Sequence, residues 1–277
     1  VRPREGGPFL FAFDFDGTLS PIVESRRAAR LHPACRALLA GLSVRKGWFV
    51  AVLSSRSIGD LASRVRLKGV LLGGGSGCEW LYPDSRMVGD REGERERLAG
   101  SRVALLPLLE SCSAHPGVLL EDKGWSAAIH FRGAPSEDRR LLLLRLGELA
   151  RERAIPMFRG PDAIEIPFSP RATKKEGLER LLSRLRIPPS SGRFAYAGDD
   201  ENDADALRWV VSHGGAGFSV GARAYSAGCR PVDGPEGLAR AVRAFACREE
   251  ARPPAMRQAG DRRIPGERRN PSWIPSA

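Results

Sequence analysis

An apolar run ending in paired carboxylates constrains this chain more than any other feature. Residues 9–15 are almost wholly apolar and β-prone, the pattern of a strand buried on both faces of a parallel sheet. The run ends in Asp14-Phe15-Asp16-Gly17-Thr18. Two carboxylates at i and i+2 of a regular strand project to one side, and such a pair is costly without a compensating cation. A hard divalent ion such as Mg²⁺ meets that need with few protein oxygens, leaving positions for water and phosphate. A plain Asp-Gly turn is the ordinary alternative. The buried strand and the second carboxylate weigh against it.

The rest of the chain alternates in the same idiom. A helix is expected over 33–42, with Pro33 suited to its first turn. Strand 48–53 follows, then helix 58–65 and a short strand 70–72 running into a glycine-rich stretch. Such alternation implies an α/β sheet wrapped by helices. The middle differs: helix 92–112, strands 118–122 and 126–132, helix 136–153, then strands 157–159 and 163–168. That order suggests a small α+β insert with an antiparallel sheet. After Pro170 the alternation resumes with helix 174–185, strand 194–197, helix 201–211, strand 217–220 and helix 235–247. The expected division is a core over 1–84 and 169–247, an insert over 85–168, and a disordered basic tail over 248–277.

Three further segments sit at junctions of strands and helices, where ligands gather in open α/β sheets. Ser54 follows strand 48–53, and a hydroxyl with backbone N–H groups there can hold a phosphate oxygen. An N-cap role is the plainer reading of that serine. Lys174 opens helix 174–185, where a lysine could neutralise phosphate; a surface lysine is the default. Gly198-Asp199-Asp200-Glu201-Asn202-Asp203 follows strand 194–197. Acids clustered at a strand end bind metal or start the next helix. Asp199, nearest the strand, is the strongest candidate ligand.

Bulk properties close off other classes. The 277 residues are 42% hydrophobic and 28% charged, ordinary for a soluble globular protein. No apolar run approaches the ~20 residues of a spanning helix, and the interrupted run at 9–13 is not expected to be a secretory signal. The five scattered cysteines fit free thiols in a reducing cytoplasm. The net charge of +11 is spread along the chain, so a solvated basic surface is favoured over nucleic-acid binding.

Together the four segments resemble the haloacid-dehalogenase-like superfamily of hydrolases, whose signature is Asp-x-Asp-Gly-Thr, then Ser or Thr, then Lys, then Gly-Asp-Asp-x-x-Asp. The resemblance implies a Rossmann-like parallel sheet core with an inserted α+β cap domain. It implies a phosphatase, since members that act on phosphate keep the second Asp of the first motif. It also implies that Asp14 is the nucleophile and that Asp16 is the general acid and base. Mg²⁺ would be held by Asp14, the backbone carbonyl of Asp16 and Asp199, and phosphoryl oxygens by Ser54 and Lys174. Asp200 and Asp203 would orient metal-bound water or Lys174 from behind.

Several stretches resemble the trehalose-6-phosphate phosphatases in particular: Leu19-Ser20-Pro21-Ile22, Ser54-Ser55-Arg56, Glu121-Asp122-Lys123 and Ile129-His130-Phe131-Arg132. On the cap, Lys123, His130, Arg132 and Glu165 are candidates for sugar contacts, against a solvated sheet face with cross-strand ion pairs. The family's Gly-x-His-Gly stretch appears as Gly74-Gly75-Ser76-Gly77, without the histidine. The expected reaction is hydrolysis of trehalose 6-phosphate. Another sugar phosphate (sucrose phosphate, mannosylglycerate phosphate or a hexose phosphate) is the alternative, and a non-catalytic regulatory module the second. The expected partner is a small sugar phosphate, with no nucleic acid and no membrane. The chain is expected to be a monomer, with association with a sugar-phosphate synthase left open.

Overall fold

The computed structural model describes residues 7–23, 26–89, 92–160, 162–221 and 227–251. Its central strand, β1 (Phe9–Phe13), is buried at every position. It pairs in parallel with β2 (Trp48–Leu53) on one side and β10 (Phe194–Gly198) on the other. The sheet continues through β3 (Val70–Gly74), then β4 (Glu79–Leu81) and β5 (Met87–Gly89). On the opposite side it continues through β11 (Ala216–Val220) and β12 (Arg230–Val232). Among the described residues the order is β12-β11-β10-β1-β2-β3-β4-β5. Pairing is parallel from β12 to β3 and antiparallel at β4 and β5.

Helices cover both faces. On one, α1 (Pro33–Ser43), α2 (Ile58–Val65) and α7 (Gly234–Ala251) bury Leu38, Leu61 and Phe245 against Phe11, Phe13 and Val50. On the other, α5 (Lys174–Arg184) and α6 (Glu201–Ser212) bury Leu178, Leu181 and Leu207 against Leu10, Ala12 and Tyr196. Strands covered on both faces need apolar side chains in both directions, which is why β1 reads as a continuous run rather than an alternating one.

Between β5 and α5 the chain builds a second layer. A four-stranded antiparallel sheet has the order β6-β7-β9-β8, from β6 (Leu119–Asp122), β7 (Ser126–His130), β8 (Phe158–Arg159) and β9 (Ala163–Pro167). Its apolar face packs on α3 (Glu92–Cys112) and α4 (Ser136–Glu152) through Leu105, Leu109, Leu142, Leu146, Ile129 and Ile164.

Three features depart from the sequence reading. The three-residue strands β4, β5 and β12 were not anticipated, because strands this short carry no measurable periodicity and exist by pairing. The core sheet consequently runs on through Gly89, past the expected boundary at 84. Helix α7 continues to Ala251, beyond the expected end at 247. The remainder of the anticipated basic tail lies outside the described residues.

Candidate active site

The sheet order reverses at β1: β2 and β3 extend one way, β10 and β11 the other. Ligand crevices form at such switch points, beyond the carboxyl ends of the strands. Asp14 follows β1, Ser54 follows β2 and Asp199 follows β10, so the three meet above one edge.

Asp14 stays in register with the sheet, its N–H donating to Ala197 O at 2.9 Å. Its side chain is 4% exposed, and Oδ1 accepts from Lys174 Nζ at 2.7 Å. Lys174 also donates to Asp203 Oδ1 at 2.7 Å. This lysine arrives at the first turn of α5, where the Thr173 side chain caps the helix by accepting from Glu176 N–H. The lysine is therefore anything but a surface residue, at 2% exposure.

Asp200 caps α6, and its side chain forms a capping box with Asp203. Asp203 is fully engaged: Oδ1 accepts from Lys174 and from Tyr196 Oη, the latter at 2.5 Å. Its Oδ2 accepts from the N–H groups of Asp199 and Asp200. Asp199 Oδ1 accepts from Thr18 Oγ1 at 3.0 Å. Gly17, at φ +78°, closes the turn after β1; a Cβ there would lie 1.9 Å from Asp199 Oδ2. Only glycine lets the first and fourth motifs approach this closely.

One oxygen each of Asp14, Asp199 and Asp203 lie within 4.8 Å of one another. Burial pushes the Asp14 and Asp200 carboxyls well above the usual range, with Lys174 opposing. Asp199 is raised to about 8, first by burial and then by Asp203 and Asp200. For Lys174 burial works against the charge, but Asp14 and Asp203 outweigh it and hold the ammonium protonated. A buried carboxylate cluster beside one ammonium and made of hard oxygens suits a divalent cation such as Mg²⁺. Because donors already saturate Asp203, Asp14 and Asp199 are the side chains with oxygens to offer.

Asp16 stands apart from that cluster. Its carboxylate is 36% exposed and is gripped by Arg56 from below. Ser54 is buried, and its Oγ accepts from the N–H of Arg56 at 3.2 Å. Arg56 and Thr18 are the site residues that sequence reading passed over. Both lay inside quoted motifs, but nothing local marks which acid each would meet.

The cap candidates divide. Lys123 Nζ lies 2.9 Å from Glu165 Oε2, and Ser126 Oγ donates to Glu165 Oε1 at 2.7 Å. His130 Nε2 is 3.0 Å from Glu121. Lys123, His130 and Glu165 line a cleft of about 130 Å³ whose opposite wall is Asp200, Glu201 and Asn202 of the core. The Arg159 N–H donates to Glu201 Oε2 at 2.7 Å, tying the two walls together. Arg132 pairs with Asp162 at 2.9 Å on an exposed edge, outside the lining of this cleft.

The fold is that of the haloacid-dehalogenase-like hydrolases. A hydrolase of that type from Bacteroides thetaiotaomicron superposes with TM-score 0.59 at 17% identity, over 86% of this chain and 99% of that one. The C-terminal domain of Candida albicans trehalose-6-phosphate phosphatase superposes with TM-score 0.67 at 20% identity, over 88% and 94%. The trehalose-phosphatase family profile matches residues 12–238. The trehalose-phosphate phosphatase of Mycobacterium tuberculosis is 32% identical over 226 residues, 75% of this chain and 52% of that protein. The chain belongs to the trehalose-phosphatase family. It spans about half the length of the mycobacterial relatives it matches.

Proposed function

We propose that this chain hydrolyses trehalose 6-phosphate to trehalose and phosphate through an aspartyl-phosphate on Asp14. The observation that carries this reading is the buried Asp14–Lys174–Asp203 chain, at 2.7 Å on each side, in a member of the trehalose-phosphatase family. An Asp14 oxygen bonds to phosphorus while the bond from phosphorus to the sugar oxygen breaks. Asp16 gives its proton to that oxygen. Water then attacks the aspartyl-phosphate, Asp16 takes the proton back, and Asp14 is restored. Lys174 and Ser54 hold phosphoryl oxygens, and Asp203 keeps the ammonium aimed at Asp14. Asp14, the backbone carbonyl of Asp16 and Asp199 would hold Mg²⁺, with Asp200 behind them; an ion bound there would supply positive charge to offset that of the phosphoryl group.

For the sugar, the cleft between Lys123, His130 and Glu165 and the start of α6 offers paired donors and acceptors opposite the catalytic edge. We take residues up to Gly89 and from Ser169 onward as the core, and those between as the cap. The free state of all five cysteines suits a reducing cytoplasm. The four-carboxylate neighbourhood of Asp14 favours a small anionic ligand brought with a metal, and not nucleic acid.

Phosphate release from trehalose 6-phosphate, sucrose 6-phosphate and glucose 6-phosphate tests the reading. The disaccharide of the family name is expected to lead in kcat/KM by roughly 10-fold or more. Asp14→Asn is expected to lower turnover by at least ~10³-fold. Equal turnover of the monosaccharide with none of trehalose 6-phosphate would sink the substrate assignment, and a fully active Asp14→Asn the nucleophile.

A further inference from the structure

Arg56 is a buried cation to which the reaction above gives no task. Its side chain is 4% exposed. Nε and Nη2 form a fork to both Asp16 oxygens at 2.6 Å each, and Nη1 reaches Asp60 Oδ2 at 2.5 Å. Asp60 is held in turn by Arg64 Nη2 at 2.8 Å, and Arg64 Nη1 donates to Ala29 O at 2.7 Å. The guanidinium lies 5.6 Å from the Phe15 ring. Its own backbone is pinned as well, the N–H to Ser54 Oγ and the carbonyl to the Gly75 N–H. Arg56 is thus fixed from every direction, while Asp16 sits on a half-open rim.

We propose that Arg56 is the positioning residue for the acid–base carboxylate, setting the direction from which Asp16 meets the oxygen of the leaving sugar. This rests on the phosphatase reading. A two-pronged Arg–carboxylate fork fixes both the plane and the rotamer of the carboxylate, which a point charge does not. In the first step one Asp16 oxygen passes its proton to the sugar oxygen as the bond to phosphorus breaks and the Asp14–phosphorus bond forms. The other oxygen keeps its bond from Arg56. In the second step the water oxygen bonds to phosphorus, the Asp14–phosphorus bond breaks, and Asp16 takes the water proton. Proton transfer requires heavy atoms within hydrogen-bond reach, so a swinging carboxylate loses rate steeply.

Leaving groups separate this role from a merely structural one. A sugar alkoxide needs the proton to depart, whereas p-nitrophenolate does not. The parameter kcat/KM ends at departure of the leaving group, and it is to be compared on trehalose 6-phosphate and p-nitrophenyl phosphate. The proteins are wild type, Arg56→Ala, Arg56→Lys and Asp16→Asn, with near-ultraviolet circular dichroism reporting the fold. Arg56→Ala is expected to lower kcat/KM on the sugar phosphate by about 10²-fold. The aryl-to-sugar ratio should rise at least ~10-fold, as in Asp16→Asn, with Arg56→Lys between it and wild type. Equal losses on both substrates in a folded variant, or no loss on the sugar phosphate, overturn the assignment. If Arg56→Ala does not fold, the ratio in Arg56→Lys decides. A wild-type chain that hydrolyses neither compound overturns the phosphatase reading itself, a result distinct from any change in ratio.

Discussion

At the scale of the residue, Lys174 shows how a side chain that would ordinarily be solvated becomes structural. It is bonded to Asp14 and Asp203 and sealed from water. Removing one partner of a buried ion pair leaves an uncompensated charge and costs about 3–5 kcal/mol. Lys174→Met is therefore expected to lower unfolding free energy by roughly that amount in metal-free urea titrations. A loss below about 1 kcal/mol would show that the carboxylates do not depend on it. From the sequence, Lys174 was one lysine at a helix start; its burial follows from the packing of α5 against α6, which sets it between Asp14 and Asp203. Arg56 was less visible still, since its partner lies forty positions away, in the turn beyond a neighbouring strand.

At the scale of the element, the helix that carries Lys174 is set by contact between glycines. The 3₁₀ turn Gly75–Gly77 after β3 meets α5 at Gly177. A Cβ on Gly177 would lie 2.3 Å from Ser76 O, and one on Gly77 would lie 2.6 Å from Gly177 Cα. Gly→Ala inside a helix ordinarily gains about 1 kcal/mol. Gly177→Ala is expected to reverse that sign and destabilise by roughly 1–3 kcal/mol, because backbone must move. Turnover should fall with it as Lys174 shifts. Thermal and urea melts check the first claim and phosphate release the second; a stabilised, fully active variant would refute both. Helix α5 was expected over 174–185, and β1 was readable from its unbroken apolar run. The three-residue strands β4, β5 and β12 were not, because pairing rather than local propensity makes them strands.

At the scale of the molecule, the carboxylate cluster links stability to pH and metal. An unfolded aspartate ionises near ~3.9, whereas folded Asp199 keeps its proton to about 8 because of burial and its acidic neighbours. Asp14 and Asp200 are raised in the same direction. Between those limits the folded chain binds more protons than the unfolded one, so metal-free stability falls as pH rises. A divalent cation binds the ionised cluster, so its stabilisation grows over the same interval. Thermal scans in chelator should show Tm falling from about pH 5 to about pH 8. The increment from Mg²⁺ should be larger at the upper pH. An increment that is flat or falls with pH would contradict the assignment of the cluster as the metal site.

The carboxylate pair that ends β1 was set by the chain itself. An apolar run stopping at Asp14 points to a buried parallel strand, and its acids call for a compensating positive charge. The same local chemistry marked Asp199 as a candidate ligand among acids that bind metal or start the next helix. Tertiary structure decided the rest. Placing β2 beside β1 joins Arg56 to Asp16, and laying α5 against α6 joins Lys174 to Asp203. The turn of Arg132 toward Asp162 takes it out of the cleft that holds Lys123 and Glu165. Burial and charge type are written residue by residue, but a partner is fixed by strand order and helix crossing, which no local stretch encodes.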